Sequence, residues 1–99
     1  MSESKAKKEL LRRALDINPT IHVGKDGVGE NVFEEVVNQL KKRRLIKVKV
    51  LNNAESDTKE VADLIVESTG SVAVDVRGGI ILLTDKRTWD SLCQKKNFD

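Results

Sequence analysis

Apolar residues recur at helical spacing in three stretches of this chain and alternate, or run unbroken, in the stretches between them. Over residues 3–16, Ala6, Leu10, Leu11, Ala14 and Leu15 fall on one side at about 100° per residue, and Asn18-Pro19 stops the helix they predict. From Val28 to about Lys42, Val28, Val32, Phe33, Val36, Val37 and Leu40 cover one half of a second helix, the signature of an element packed on a core. A third helix starts at Asp57, a good N-cap with Glu60 at capping-box spacing, after a polar turn at 52–56. It turns Val61, Leu64 and Ile65 inward and ends before Gly70, which suits the C′ position.

Between the helices lie strands. Residues 20–23 form a short one. Leu45 to Leu51 forms another, alternating from Ile46 onward: Ile46, Val48 and Val50 take one face, Lys47 and Lys49 the other, which makes that face wet and basic. Ser71 to Arg77 alternates, Gly78-Gly79 makes a two-residue hairpin turn, and Ile80 to Thr84 returns. The unbroken apolar run of that last strand implies burial on both sides or a contact surface. The order α-β-α-β-α-β-β predicts an α/β domain of two-layer type with a mixed four-stranded sheet. We assign residues 1–84 to the domain and 85–99 to a polar tail, in which Trp89 and Leu92 pack back as a short helix.

One stretch looks built for a task. In Ile21-His22-Val23-Gly24-Lys25-Asp26-Gly27-Val28 a short strand runs into two glycines three apart, then into the second helix. Glycines without a Cβ let backbone approach a ligand closely. The unpaired N–H groups and positive dipole end of the following helix suit a phosphate, and Lys25 adds a full charge. Asp26 and Glu30 oppose it, since carboxylates repel an anion.

Composition narrows the reading. At 99 residues the chain is one domain with one modest core and no deep cleft to spare. A single Cys93 excludes an internal disulfide and a Cys-based metal cluster, which fits a reducing compartment. No segment has the apolar length of a membrane span, so the expectation is a cytoplasmic protein, and a monomer. The net charge of +2 hides an excess of five cations in residues 1–49 and of three anions in residues 50–99. The cations gather as Lys5, Lys8 and Arg12 on the polar side of the first helix, with Arg13 near them, and as Lys41-Lys42-Arg43-Arg44 at the end of the second. Each group is either a solvated face or a phosphate-contacting one. A helix of about fifteen residues is roughly 20 Å long, so the cluster and the glycine loop cannot touch the same phosphate.

Enzyme chemistry finds little support. His22 is the only histidine, so any histidine-based triad or dyad would need it, and a packed or surface imidazole is the commoner role. Nothing near Cys93 would activate it. Ligands for a Cys/His metal site are lacking, and no cofactor is implied. The run Gly24 to Gly29 orders its glycines GxxGxG, unlike the dinucleotide GxGxxG, and lacks the GK[ST] of a P-loop. What remains is the phosphates of a polymer. A GxxG loop is how KH domains clamp nucleic-acid backbone. Aromatics are only 3% of the chain, with no Tyr, which argues against stacking on single strands and for structured RNA.

Val23-Gly24-Lys25-Asp26-Gly27-Val28, Leu45-Ile46-Lys47-Val48-Lys49-Val50, and Thr69-Gly70 ahead of a Gly-Gly hairpin together resemble the CRM domain. That family includes bacterial YhbY-type proteins, archaeal single-domain relatives and the repeated domains of plant organelle splicing factors. The similarity runs over about residues 3–84, and the LIKVKV strand is its most specific part. The resemblance implies a non-catalytic RNA-binding module whose loop, here Gly24, Lys25, Asp26 and Gly27, contacts RNA. It also implies association with precursors of the large ribosomal subunit. Lys5, Lys8, Arg12, Lys41, Lys42, Arg43, Arg44, Lys47 and Lys49 are candidate RNA contacts on charge alone. Two other classes stay open: a protein-docking module using the apolar hairpin Val72–Leu83, and a small-anion or nucleotide-binding enzyme.

Overall fold

A computed structural model describes residues 2–24, 28–51 and 55–94, with the side chains of residues 55–57 excluded. Its elements are α1 (Glu3–Arg13) with a 3₁₀ turn (Ala14–Asp16), β1 (Ile21–Val23), α2 (Glu30–Arg43), β2 (Leu45–Val50), α3 (Glu55–Thr69), β3 (Val72–Arg77), β4 (Ile80–Thr84) and α4 (Lys86–Gln94). The four strands form one mixed sheet in the order β1-β2-β4-β3. β1 runs parallel to β2, and β4 lies antiparallel between β2 and β3. The expected mixed sheet and element order are present.

Alternation along the strands divides the side chains between two cores. Ile21, Val23, Ile46, Val48, Val50, Ile81 and Leu83 meet Val36 and Leu40 of α2 and Ala62 and Ile65 of α3 on the first face. On the second face Leu45, Val74 and Leu82 meet Ala6, Leu10 and Ala14, with Leu92 of α4. The α2/α3 side is the expected two-layer unit; α1 and α4 add a partial third layer on the other side. The unbroken apolar run of β4 has its cause here, because Ile81 and Leu83 feed the first core while Leu82 feeds the second. Its strand is therefore consumed by packing. Of the hairpin's large apolar side chains only Val76 is exposed, so packing takes up most of the surface that the protein-docking alternative would use.

The glycine conformations follow the sequence closely. Gly70 has φ +71° and its N–H donates to Val66 O at 2.9 Å, closing α3. Gly78 and Gly79 both have positive φ, the requirement of a type I′ hairpin turn. A Cβ on Gly79 would also lie 3.3 Å from the carbonyl oxygen of Val50.

Four local expectations need correction. Helix α2 starts at Glu30 rather than Val28, because its N-cap Gly29 is extended (φ −123°, ψ −175°). Val28 and Phe33 then occupy the N′ and N4 positions of a hydrophobic staple, and both pack against the first core. Helix α3 starts at Glu55, so Asp57 lies inside its first turn rather than at its N-cap. Leu15 is 80% exposed, since the tighter 3₁₀ turn swings it off the buried line of Ala6, Leu10 and Ala14. Leu64 is 49% exposed, and Ala62 takes the inward place instead.

Candidate functional site

The sheet has two ends of different character. At one end β1 and β2 finish together: the N–H of Leu51 donates to Val23 O at 2.8 Å, and that of Val50 to Gly79 O at 2.7 Å. Gly24 and the Gly78-Gly79 turn therefore share this end. At the other end the Thr84 hydroxyl donates to Arg44 O at 2.7 Å, bringing the end of α2 to the end of β4.

Strand register builds a polar row near the first end. His22 pairs with Lys49, Lys49 with Ile80, and Ile80 with Arg77. Paired residues on neighbouring strands point the same way, so one line crosses all four strands on the second face. With strands about 4.8 Å apart it spans about 14 Å. His22, Lys49 and Arg77 are all exposed, because α1 covers the neighbouring Leu82 and Val74 and stops short of this line. Lys47 stands one pleat behind, half-buried, beside Leu11 and Leu15 of the α1 terminus. Asp75 tempers the row; its carboxylate lies 3.7 Å from Arg77 Nε and 3.9 Å from Lys7 Nζ.

Gly24, exposed, sits where β1 leaves this row. It does not adopt a positive φ, and a Cβ there would meet nothing within 4 Å. Lys25, Asp26 and Gly27, the rest of the expected loop, lie outside the described residues. Gly29 offers no side-chain cap to α2; its carbonyl accepts from the Val32 and Phe33 N–H groups, and Glu30 stands in the first turn.

Lys5, Lys8 and Arg12 are exposed on α1, over the same sheet face as Lys47 and Lys49. Arg12 is not a free cation. Its guanidinium donates to Glu9 Oε1 at 2.6 Å and Oε2 at 3.3 Å, and Arg13 Nε also donates to Glu9 at 3.2 Å. Hydrogen bonding from Arg12 holds the Glu9 carboxyl below the usual carboxylate range and raises Arg12 in turn. Lys41, Lys42, Arg43 and Arg44 are exposed as well, but they lie at the opposite end of the sheet, about 20 Å along α2. The structure thus brings Lys47 and Lys49 onto the sheet face that α1 covers, leaves Gly24 at the end of the edge strand β1 with α1 packed toward the opposite edge strand β3, and places the second basic cluster apart.

His22 and Arg77 join the row without having been singled out as ligand contacts. Their signal is pairing register, which brings together residues 22, 49, 77 and 80, and single-strand alternation does not carry it. No His, Cys, Asp and Glu among the described residues group in a way that could hold a metal ion. No helix among them is long and apolar enough to cross a membrane.

The family model of the CRS1 / YhbY (CRM) domain matches residues 3–83. The chain is 37% identical over 83 residues to the Bacillus subtilis protein named "Probable RNA-binding protein YqeI", covering 84% of this chain and 86% of that one. It is 38% identical over 95 residues to "Probable RNA-binding protein MJ0652" of Methanocaldococcus jannaschii, covering 93% and 70% of the two chains. The solution structure of the hypothetical protein SAV1595 from Staphylococcus aureus superposes with a TM-score of 0.75 at 35% identity, covering 98% of this chain and 94% of that one.

Proposed function

The chain belongs to the CRS1 / YhbY (CRM) domain family, and from that premise we propose that it is a non-catalytic RNA-binding protein acting at the end of the sheet that carries Gly24. The observation that carries the reading is the exposed line His22, Lys49 and Arg77 leading across the sheet to the glycine loop. A shallow cationic surface about 14 Å across suits backbone phosphates of a folded polymer better than a small substrate, which needs an enclosed pocket. Lys25 and the loop amides hold one phosphate, while Lys47, Lys49, Arg77, Lys5, Lys8 and Arg12 position its neighbours. The scarcity of aromatic side chains favours structured RNA read by shape and backbone. The resemblance noted in the sequence points to ribosomal RNA on the way to the large subunit, bound by a monomer in the cytoplasm during ribosome assembly.

The test is titration of large-subunit ribosomal RNA fragments by fluorescence anisotropy at several salt concentrations. Affinity should fall steeply with salt, with a log–log slope of about −0.7 to −0.9 for each phosphate neutralised. Affinity that ignores salt, or a protein that binds no RNA, would sink the reading.

Two substitutions sharpen it. Gly24→Asp adds a carboxylate where space is open and the backbone unstrained, so stability should stay within about 0.5 kcal/mol of the parent. RNA affinity should nevertheless fall roughly tenfold, through repulsion of the phosphate held by the loop. A thermal melt alongside the titration separates the two effects. Glu9→Gln should act in the opposite direction. Glu9 competes with phosphate for Arg12 and Arg13, so its neutral analogue should tighten binding about two- to fivefold and steepen the salt slope by about one. Unchanged affinity and slope would remove Arg12 from the interface.

A further inference from the structure

The second basic end of the domain is a built feature in its own right. An open cleft of about 390 Å³ lies between the C-terminal ends of α2 and α3 and the N-terminus of α4, with Thr69, Gly70 and Ser71 forming its α3 side. Lys41 and Arg44 border it from α2, Lys86 and Arg87 from α4. Its one carboxylate, Asp85, is already committed to capping α4. Its Oδ2 accepts from the Thr88 N–H at 3.0 Å and its Oδ1 from the Thr88 hydroxyl at 2.5 Å. Arg44 Nη1 stands 3.9 Å from Asp85, a long surface pair, so the rim of the cleft carries four cations against one carboxylate.

Two local preferences are broken here at once. Arg44 caps α2 in the left-handed conformation, φ 68° and ψ −22°, as the only non-glycine residue with positive φ among those described. Gly is the residue that fits that position without strain. In addition, Lys86 and Arg87 sit in the first turn of α4, where the helix dipole disfavours cations. Lys86 is partly compensated by Asp90 at 3.9 Å; Arg87 has no such partner among the described residues. Neither the left-handed backbone of Arg44 nor a cation in the first turn of α4 is what local preference selects, and Arg44, Lys86 and Arg87 all border the same cleft. Agreement between local preference and structure tends to fail where a site is built.

We propose that this cleft is a second phosphodiester contact, so that the domain bridges two backbone segments of one folded RNA. The proposal rests on the RNA-binding reading above and deepens it. The six residues of β2 separate the cleft from the glycine end by about 20 Å. One phosphate cannot reach both, and two segments of a compact RNA can.

The experiment compares the wild-type chain, Arg44→Gly, and Lys86→Gln with Arg87→Gln, each titrated with the same structured large-subunit ribosomal RNA fragment at several salt concentrations and melted in parallel. Arg44→Gly keeps the backbone bonds from Arg44 N to Leu40 O and from Thr84 to Arg44 O, and removes the strained side chain, so its melting temperature should be equal or higher. Its RNA affinity should fall roughly three- to tenfold and its salt slope shrink by about one. The double variant should lose about as much again, with a further shrinkage of the slope. Wild-type affinity and slope in both variants, beside weakened binding by Gly24→Asp, would overturn the cleft and leave the glycine end standing. Absence of RNA binding by the wild-type chain would overturn the functional reading and the cleft with it.

Discussion

A protein carrying Lys49→Glu and Arg77→Glu should bind structured RNA at least about a hundredfold more weakly than its parent at physiological salt, while folding normally. Two cations of the four-strand row disappear and two anions replace them. Neutralisation alone, in Lys49→Gln with Arg77→Gln, should cost roughly tenfold and lower the salt slope by about two. Reversal adds repulsion between the new carboxylates and the phosphates. That added loss is screened over a Debye length of about 8 Å at physiological ionic strength, so the gap between reversal and neutralisation should narrow as salt rises. Folding is protected because both side chains are exposed and flank Ile80 rather than each other. The Arg77 to Asp75 pair they break involves an Arg side chain 84% exposed, and such surface pairs contribute little to stability. Equal affinity of parent and reversed protein would place the RNA elsewhere on the domain.

The reason this row escapes a reading of the sequence is the distance between its parts. Lys47 and Lys49 are visible because alternation within one strand assigns them a face. His22 and Arg77 share that face only through pairings that join residues far apart in the chain, with β4 inserted between β2 and β3. The elements themselves were legible because each depends on local chemistry: apolar spacing in α1 and α2, Gly70 at a helix end, Gly78-Gly79 in a hairpin turn. Misreadings cluster at helix ends, where one residue's conformation decides the outcome. Gly29, extended, delays α2 by two residues from Val28, and the 3₁₀ turn after Arg13 expels Leu15. The separation of Lys41–Arg44 from the glycine loop, by contrast, followed from helix length alone. What helix length did not supply was the partner of that cluster, because the cations of α4 reach it only after three further strands and α3.

Neighbouring residues of α3 give the largest stability contrast. Ile65→Ala should destabilise the domain by about 2–5 kcal/mol, whereas Leu64→Ala should change it by no more than about 0.5–1 kcal/mol. Periodicity alone ranks them together, since both are large, apolar and near the centre of the helix. The structure separates them. Ile65 is 0% exposed and packs in the core with Ile46, Val48 and Ile81, so truncation leaves a cavity among strands that cannot collapse onto it. Leu64 is half in water before any substitution, and its loss creates no cavity. For a domain of this size each kcal/mol moves the melting temperature by about 4–8 °C, so Ile65→Ala should melt at least about 8 °C below the parent. Total stabilities of small domains run about 5–15 kcal/mol, so a loss of about 5 kcal/mol from a domain near the lower end would leave Ile65→Ala close to unfolded at 37 °C. Urea titration checks both, with unchanged m-values as evidence that the unfolded states are comparable. Equal losses at the two positions would mean that α3 lies rotated by most of a residue from the arrangement described, with Leu64 in the core. Val61 and Ala62 would then trade exposure as well, so Ala62→Gln, destabilising as the helix stands, becomes the deciding substitution.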